Sequence, residues 1–202
     1  MKLYLASGNA HKAGEFQALA AASGLPVEIA SARAIGGMPE VVEDAGTFTG
    51  NALLKARALH ARLPAGSWAL ADDSGLCVDA LDGAPGVESA YYAGPAGDGA
   101  ANLQKLVKTM QGVPADRRGA HFVCVLVLIG PDGRGQEFAG RVHGRLCEQP
   151  RGGAGFGYDP LFVPEGHGQT FAELPEGEKN RLSHRARAWS ELVSWLRRTG
   201  QA

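Results

Sequence analysis

Apolar and polar residues follow one another along the chain with the periods of strands and helices. Short apolar runs predict strands at residues 2–6, 27–30 and 68–71, and longer runs predict strands at about 121–129 and 136–146. The run at 122–129 is nearly continuous, so we expect both of its faces to be covered. Helical spacing of apolar residues predicts a helix carrying Phe16, helices at 48–63 and 99–111, and a final helix after Ser183.

Two adjacent carboxylates follow the predicted strand at 68–71. This strand is expected to end at Asp72 and Asp73, with Ser74 and Gly75 after them. In open α/β sheets the carboxyl end of a strand is where ligands bind. Adjacent strand residues point to opposite faces and like charges repel, so at most one acid should face a given cleft. The residues alone do not identify which one, and a simple turn is the alternative interpretation.

Composition narrows the classes of protein that the chain fits. Its 202 residues suit one large domain or two lobes, and 45% of them are hydrophobic. The formal net charge of -1 argues against a general nucleic-acid binder. We also expect no membrane span, no signal peptide and a cytosolic location. Cys77, Cys124 and Cys147 are widely spaced and are predicted to be free thiols.

The first strand breaks at a turn of small and polar residues before a helix. This pattern is typical of an anion site, where backbone N–H groups and the positive helix end face a phosphate. Lys12 could add a charge there, although ordinary turn chemistry explains the same residues. Further on, Thr47 is predicted to cap the helix that carries Asn51 and Lys55 at the edge of its apolar stripe. A lysine in that position either snorkels or lines a cleft.

The C-terminal third contains two more polar clusters. Residues 152–160 form a glycine-rich loop with two aromatic rings, which suits a planar ligand or a cap on the core. Positive charge is then concentrated near the start of the last helix, where the helix dipole favours acids. A partner that is anionic or bears a carbonyl would explain this cluster, and a solvated basic patch is the alternative. Its members are Lys179, Arg181, His184 and Arg185.

Taken in order, these motifs resemble the inosine triphosphate pyrophosphatase family, which removes non-standard purine nucleotides. The resemblance runs from about residue 3 to residue 197, and the ordered set is specific although no single motif is. It rests on residues 7–12, 47–56, 71–76, 83–90, 156–160, and Lys179 with 183–185.

The resemblance implies a fold, an activity and an assembly. The fold is an elongated α/β structure of the Maf and inosine triphosphate pyrophosphatase type, with flanking helices. Its mixed central β-sheet has two lobes around an active-site cleft, and residues 1–202 form one domain. The activity is Mg²⁺-dependent hydrolysis of ITP, dITP and XTP to the monophosphate and pyrophosphate. The family is usually homodimeric.

The resemblance also implies roles for matching residues. Asp73 is the catalytic proton acceptor and a metal ligand, and the second metal ligand is either Glu40 or Glu43. The triphosphate would lie against Ser7, Gly8, Asn9, Ala10, His11 and Lys12, with Asn51 and Lys55 beside it. Ser74 would contact substrate, and the purine would be held by Phe156, Gly157, Tyr158, Asp159, Lys179, His184 and Arg185.

One position departs from the family pattern, and two other classes of protein stay open. The family commonly has glutamate directly before the helix asparagine, whereas Gly50 precedes Asn51 here. Any contact made by that acid is therefore missing or is supplied by Asp44 or Asp72. The alternatives are a nucleotide-binding module without catalysis, and a nucleotide phosphatase or Maf-like pyrophosphatase with another base preference.

Overall fold

The structure is a computed structural model that describes residues 1–201. Within these residues the strands are β1 Lys2–Leu5, β2 Glu28–Ser31, β3 Trp68–Val78, β4 Gly119–Ile129, β5 Gly135–Leu146 and β6 Phe162–Pro164. The helices are α1 Ala10–Ala22, α2 Phe48–His60, α3 Gly99–Thr109, α4 Glu176–Leu182 and α5 His184–Thr199.

The six strands form a mixed sheet in the order β2-β1-β3-β4-β5-β6. β1 pairs in parallel with β2 and β3, whereas β5 and β6 are antiparallel. The predicted α/β class and mixed sheet are therefore confirmed. Every residue from Phe122 to Ile129 is buried, as the continuous apolar run predicts.

The chain divides into two compact units. Unit 1 contains residues 1–73 and 124–140 and the chain from residue 185 onward, and unit 2 contains residues 74–123 and 141–184. The core of unit 1 packs Phe16 of α1 and Trp189 of α5 against strand residues such as Leu5 and Leu126. The core of unit 2 joins Leu106 of α3 to Phe122, Phe162 and Phe171, among others.

The prediction that β3 ends before the two acids is wrong. β3 continues without a break from Trp68 to Val78, so Asp72 and Asp73 lie in the middle of a buried strand. Their carboxylates have cationic partners, which removes the need for a solvent-exposed turn at this point. After Val78 the strand ends, and Asp79–Leu81 form a 3-10 turn.

Candidate active site

The predicted phosphate loop is a capped helix start. Asn9 is the N-cap of α1, and its Oδ1 accepts hydrogen bonds from the backbone N–H of His11 at 2.9 Å and of Lys12 at 3.3 Å. The Asn9 N–H in turn donates to Ser7 Oγ at 3.1 Å. Two of the backbone donors that the sequence assigned to a phosphate therefore bind the Asn9 side chain. The side chain of Lys12 is the charged group that this turn presents.

Helix α2 places Asn51 and Lys55 one turn apart, and both are buried. Thr47 caps the helix as predicted, because its Oγ1 accepts from the Gly50 N–H at 3.1 Å. Asn51 Oδ1 accepts from the backbone N–H of Ala45 at 3.1 Å, which ties the acidic loop to the helix. Because Lys55 is buried, its ammonium is not freely solvated and contacts acidic side chains instead.

Lys55 connects two carboxylates. Its Nζ lies 2.6 Å from Asp73 Oδ1 and 2.7 Å from Glu43 Oε2. Burial alone would lower the pKa of Lys55, but the charges of Asp73 and Asp72 outweigh it and hold the pKa above its usual value. Lys55 is therefore a permanent cation in this site.

Asp73 combines a raised pKa with an unused oxygen. Burial raises the pKa of its carboxyl to about 6 despite the opposing charge of Lys55. Its Oδ2 is buried and has no hydrogen-bond partner among residues 1–201. A buried acceptor without a partner is costly, so this oxygen is suited to a ligand, a water proton or a cation.

Of the two candidate second metal ligands, Glu43 shares a cationic partner with Asp73. Both residues are exposed, but Glu43 Oε2 lies 2.7 Å from Lys55 Nζ, which also contacts Asp73. Within the described chain, no three His, Cys, Asp or Glu side chains are grouped closely enough to hold a metal by themselves. Mg²⁺ commonly uses one or two carboxylates together with substrate phosphates. The unpartnered Oδ2 of Asp73, with Glu43 nearby, fits that chemistry.

The contacts of Asp72 are with a second group of side chains. Its Oδ1 accepts a hydrogen bond from Lys12 Nζ, and its Oδ2 lies 3.5 Å from Arg185 Nε. The Sγ of Cys124 is 3.7 Å from the same Oδ2. Arg185 Nη1 also donates to Glu15 Oε2 at 3.0 Å. Burial would raise the pKa of Asp72, but Lys12 and Arg185 hold it well below its usual range.

Unit 2 holds the aromatic part of the predicted site. Lys179 Nζ lies 2.8 Å from Asp159 Oδ2 and 5.2 Å from the centre of the Phe156 ring. The Phe156 N–H donates to the same Asp159 oxygen at 2.9 Å. A Cβ at Gly155, where φ is +74°, would lie 2.2 Å from that oxygen, so the turn requires glycine. This loop is therefore fixed by a buried ion pair.

Two further contacts order the aromatic part. Tyr158 donates from its hydroxyl to the Ser89 carbonyl at 2.8 Å, and burial raises the pKa of this phenol. His184 stacks on Phe122, with ring centres 4.8 Å apart. Three members of the basic cluster, Lys179, His184 and Arg185, are buried. A solvated basic patch is therefore the wrong interpretation for them, although Arg181 is exposed.

The structure adds groups that sequence reasoning missed. Glu15 lies one turn after Lys12 on α1, and this spacing could have placed both on one face. Ser89 lies in the motif at residues 83–90 but was assigned no role, and Phe122 carries no comparable signal. Both make contacts with residues distant in sequence. The helix α4, which carries Lys179, was also missed.

The fold and the site define a mixed α/β protein in which buried acids are paired with lysines on neighbouring elements. The family model for the Ham1 family matches residues 3–195, and the chain belongs to that family. The family resemblance inferred from the motifs is thereby confirmed.

Individual relatives agree with this assignment along the whole chain. A protein of Opitutus terrae named dITP/XTP pyrophosphatase is 63% identical, over 98% of this chain and 100% of its own. A Streptomyces coelicolor protein of the same name is 46% identical over 97% of each chain. The solved structure of the Staphylococcus aureus Ham1 protein covers 100% of both chains, with 34% identity and a TM-score of 0.84. None of the helices in residues 1–201 is both long and apolar enough to span a bilayer.

Proposed function

We propose that the protein hydrolyses ITP, dITP and XTP to the monophosphate and pyrophosphate. The names of its full-length relatives support this activity. The observation that carries it is the Asp73 carboxyl, which has a buried oxygen without a partner, a pKa of about 6 and Lys55 in contact. A group of this kind is ionised at neutral pH and close enough to its pKa to accept a proton from water.

In the proposed mechanism, Asp73 orients the water that attacks the α-phosphorus and accepts its proton. A bond forms between the water oxygen and this phosphorus, the bond to the bridging oxygen breaks, and pyrophosphate leaves with that oxygen. Lys55 and Lys12 offset negative charge on the phosphates, since phosphoryl transfer depends chiefly on positioning and charge stabilisation. Ser7, Gly8, Asn9, Ala10, His11 and Asn51 are proposed to complete the triphosphate site.

Mg²⁺ would be held by Asp73 and Glu43 together with phosphate oxygens. It would supply charge neutralisation at the oxygens of the reacting phosphate. We prefer Glu43 to Glu40 because Glu43 shares Lys55 with Asp73. The Mg²⁺ dependence of Glu43→Gln should shift to concentrations at least about tenfold higher, whereas Glu40→Gln should behave as wild type. The opposite pattern would assign the ligand to Glu40.

The purine is proposed to use the aromatic part of the site. Phe156 offers a stacking face, and Lys179 with Asp159 fixes its loop. Arg185 and His184 are proposed to donate hydrogen bonds to the 6-oxo group of the purine. The 6-amino group of adenine cannot accept these hydrogen bonds. A site that depends on such hydrogen bonds can discriminate by about 10⁴. Ser74, Gly157 and Tyr158 are proposed as further substrate contacts.

A panel of nucleoside triphosphates with Mg²⁺ tests the proposed function. We expect pyrophosphate from ITP, dITP and XTP and little product from ATP. Orthophosphate as the product would instead indicate a phosphatase, binding without product would indicate a binding module, and another preferred base would indicate a Maf-like enzyme. A homodimer acting in the cytoplasm is proposed from the family resemblance, and sedimentation of the purified chain checks the dimer.

A further inference from the structure

The Asp72 carboxylate links two parts of the proposed site. Its Oδ1 accepts from Lys12, and its Oδ2 faces Arg185 Nε at 3.5 Å. Arg185 is held on another side by Glu15, through a 3.0 Å contact between Nη1 and Oε2. Asp72 and Arg185 are almost completely buried, and Glu15 is nearly so. One carboxylate therefore positions a cation assigned to the phosphates and a cation assigned to the base.

The charges of these four residues balance. Two acids, Asp72 and Glu15, face two cations, Lys12 and Arg185, in a region from which water is largely excluded. Charges inside a protein interact more strongly than in water, so a change at one member alters the position of the others. If Glu15 loses its charge, Arg185 must rely more on Asp72. The hold of Asp72 on Lys12 then weakens.

We propose that Asp72 is a positioning residue that couples base recognition through Arg185 to phosphate recognition through Lys12. This inference rests on the proposed function, because that function assigns Lys12 to the phosphates and Arg185 to the base. Asp72 takes no proton in the reaction and contacts no substrate atom. Its effect passes through the side chains that it holds.

The test asks whether a change at the base end alters the binding of a ligand that has no base. The probe is tripolyphosphate, measured by titration calorimetry with Mg²⁺. Glu15→Gln should tighten its binding about threefold or more, since couplings within one charged network are commonly at least that large. In an Asp72→Asn background the same Glu15→Gln change should alter binding by less than about 1.5-fold.

Two controls separate coupling from general electrostatics and from unfolding. Glu28 forms an exposed ion pair with Lys2 in the same unit, so Glu28→Gln makes the same charge change outside the network. It should leave tripolyphosphate binding unchanged. If Asp72→Asn does not fold, the comparison is made in Lys12→Gln. There Glu15→Gln should also lose its effect, because the residue that receives the change is gone.

A second experiment measures the selectivity of the enzyme for the purine base. Asp72→Asn should lower the ratio of kcat/KM for ITP to that for ATP by about tenfold, because Arg185 loses a charged partner. An equal effect of Glu15→Gln in the presence and absence of Asp72 would overturn the proposal, and so would tripolyphosphate that fails to bind the wild type. Because calorimetry needs no turnover, a wild type that binds tripolyphosphate with this coupling but hydrolyses no ITP would refute the proposed function alone.

Discussion

Replacing the proposed proton acceptor should make the protein more stable while removing its activity. Burial raises the pKa of Asp73 from an ordinary value of 3.8 to about 6, so the folded protein disfavours the ionised carboxylate. The folded state therefore binds more protons than the unfolded state between about pH 4 and 6. Stability must then fall as the pH rises through that window. Asp73→Asn removes this dependence, because the amide stays neutral.

The size of the effect follows from the pKa. A rise of about two pKa units corresponds to about 3 kcal/mol above pH 6. Lys55 also contacts Glu43 at 2.7 Å, so the substitution does not leave this lysine without an acidic partner. For a protein of this length about 3 kcal/mol corresponds to about 6–12 °C in Tm. We expect Asp73→Asn to gain up to that amount at pH 7.5 and nothing below about pH 4.

Thermal unfolding of both proteins between pH 4 and 8, with metal removed by a chelator, measures this gain. Asp132→Asn is the matched control, because Asp132 is exposed in the β4–β5 turn, and its stability should change by less than about 0.5 kcal/mol. Pyrophosphate release from ITP is measured on the same samples. An Asp73→Asn protein that is less stable at pH 7.5 than the wild type, or that keeps normal turnover, would refute the reasoning.

Two further predictions concern the loop that carries Glu43. A Cβ at Gly50 would lie 2.5 Å from Ala45 Cβ, so Gly50→Ala should displace the loop, cost about 1–3 kcal/mol on denaturation and weaken Mg²⁺ activation. Ala45→Gly in the same chain should restore much of both losses, and an undisturbed Gly50→Ala protein would contradict the packing. Thr47→Ala removes the cap of α2 and should cost about 1 kcal/mol by the same measurement, whereas Thr47→Ser should cost less. Equal stability of the Thr47→Ala protein and the wild type would show that the cap contributes nothing.

The sequence predicts those helices and strands whose position depends on residues close together in the chain. The apolar run at residues 122–129 gives the buried strand β4, and Thr47 marks the start of α2. The sequence does not show that β3 continues through Asp72 and Asp73, because two acids inside a strand are tolerated only when distant cations meet them. Those cations come from α1, α2 and α5. Their arrival is a property of the tertiary structure.

The candidate site could likewise be predicted only in part from the sequence. Sequence motifs identified Lys12, Lys55 and Asp73 as candidate site residues. The structure adds their ion pairs, which join Lys12 to Asp72 and Lys55 to Asp73. Spacing left both Glu40 and Glu43 open as the second metal ligand. Our preference for Glu43 depends on its contact with Lys55, which the sequence of an irregular loop does not reveal. Glu15 was not predicted as a site residue, because an acid on a helix is common and its contact with Arg185 is visible only in the tertiary structure.

The most direct measurement of the central claim is hydrolysis of ITP in water labelled with ¹⁸O. If Asp73 directs water at the α-phosphorus, one labelled oxygen should appear in IMP and none in pyrophosphate, and Asp73→Asn should abolish both products. Mass spectrometry of the two products gives the answer. Label in pyrophosphate would place the attack on the β-phosphorus and contradict the account.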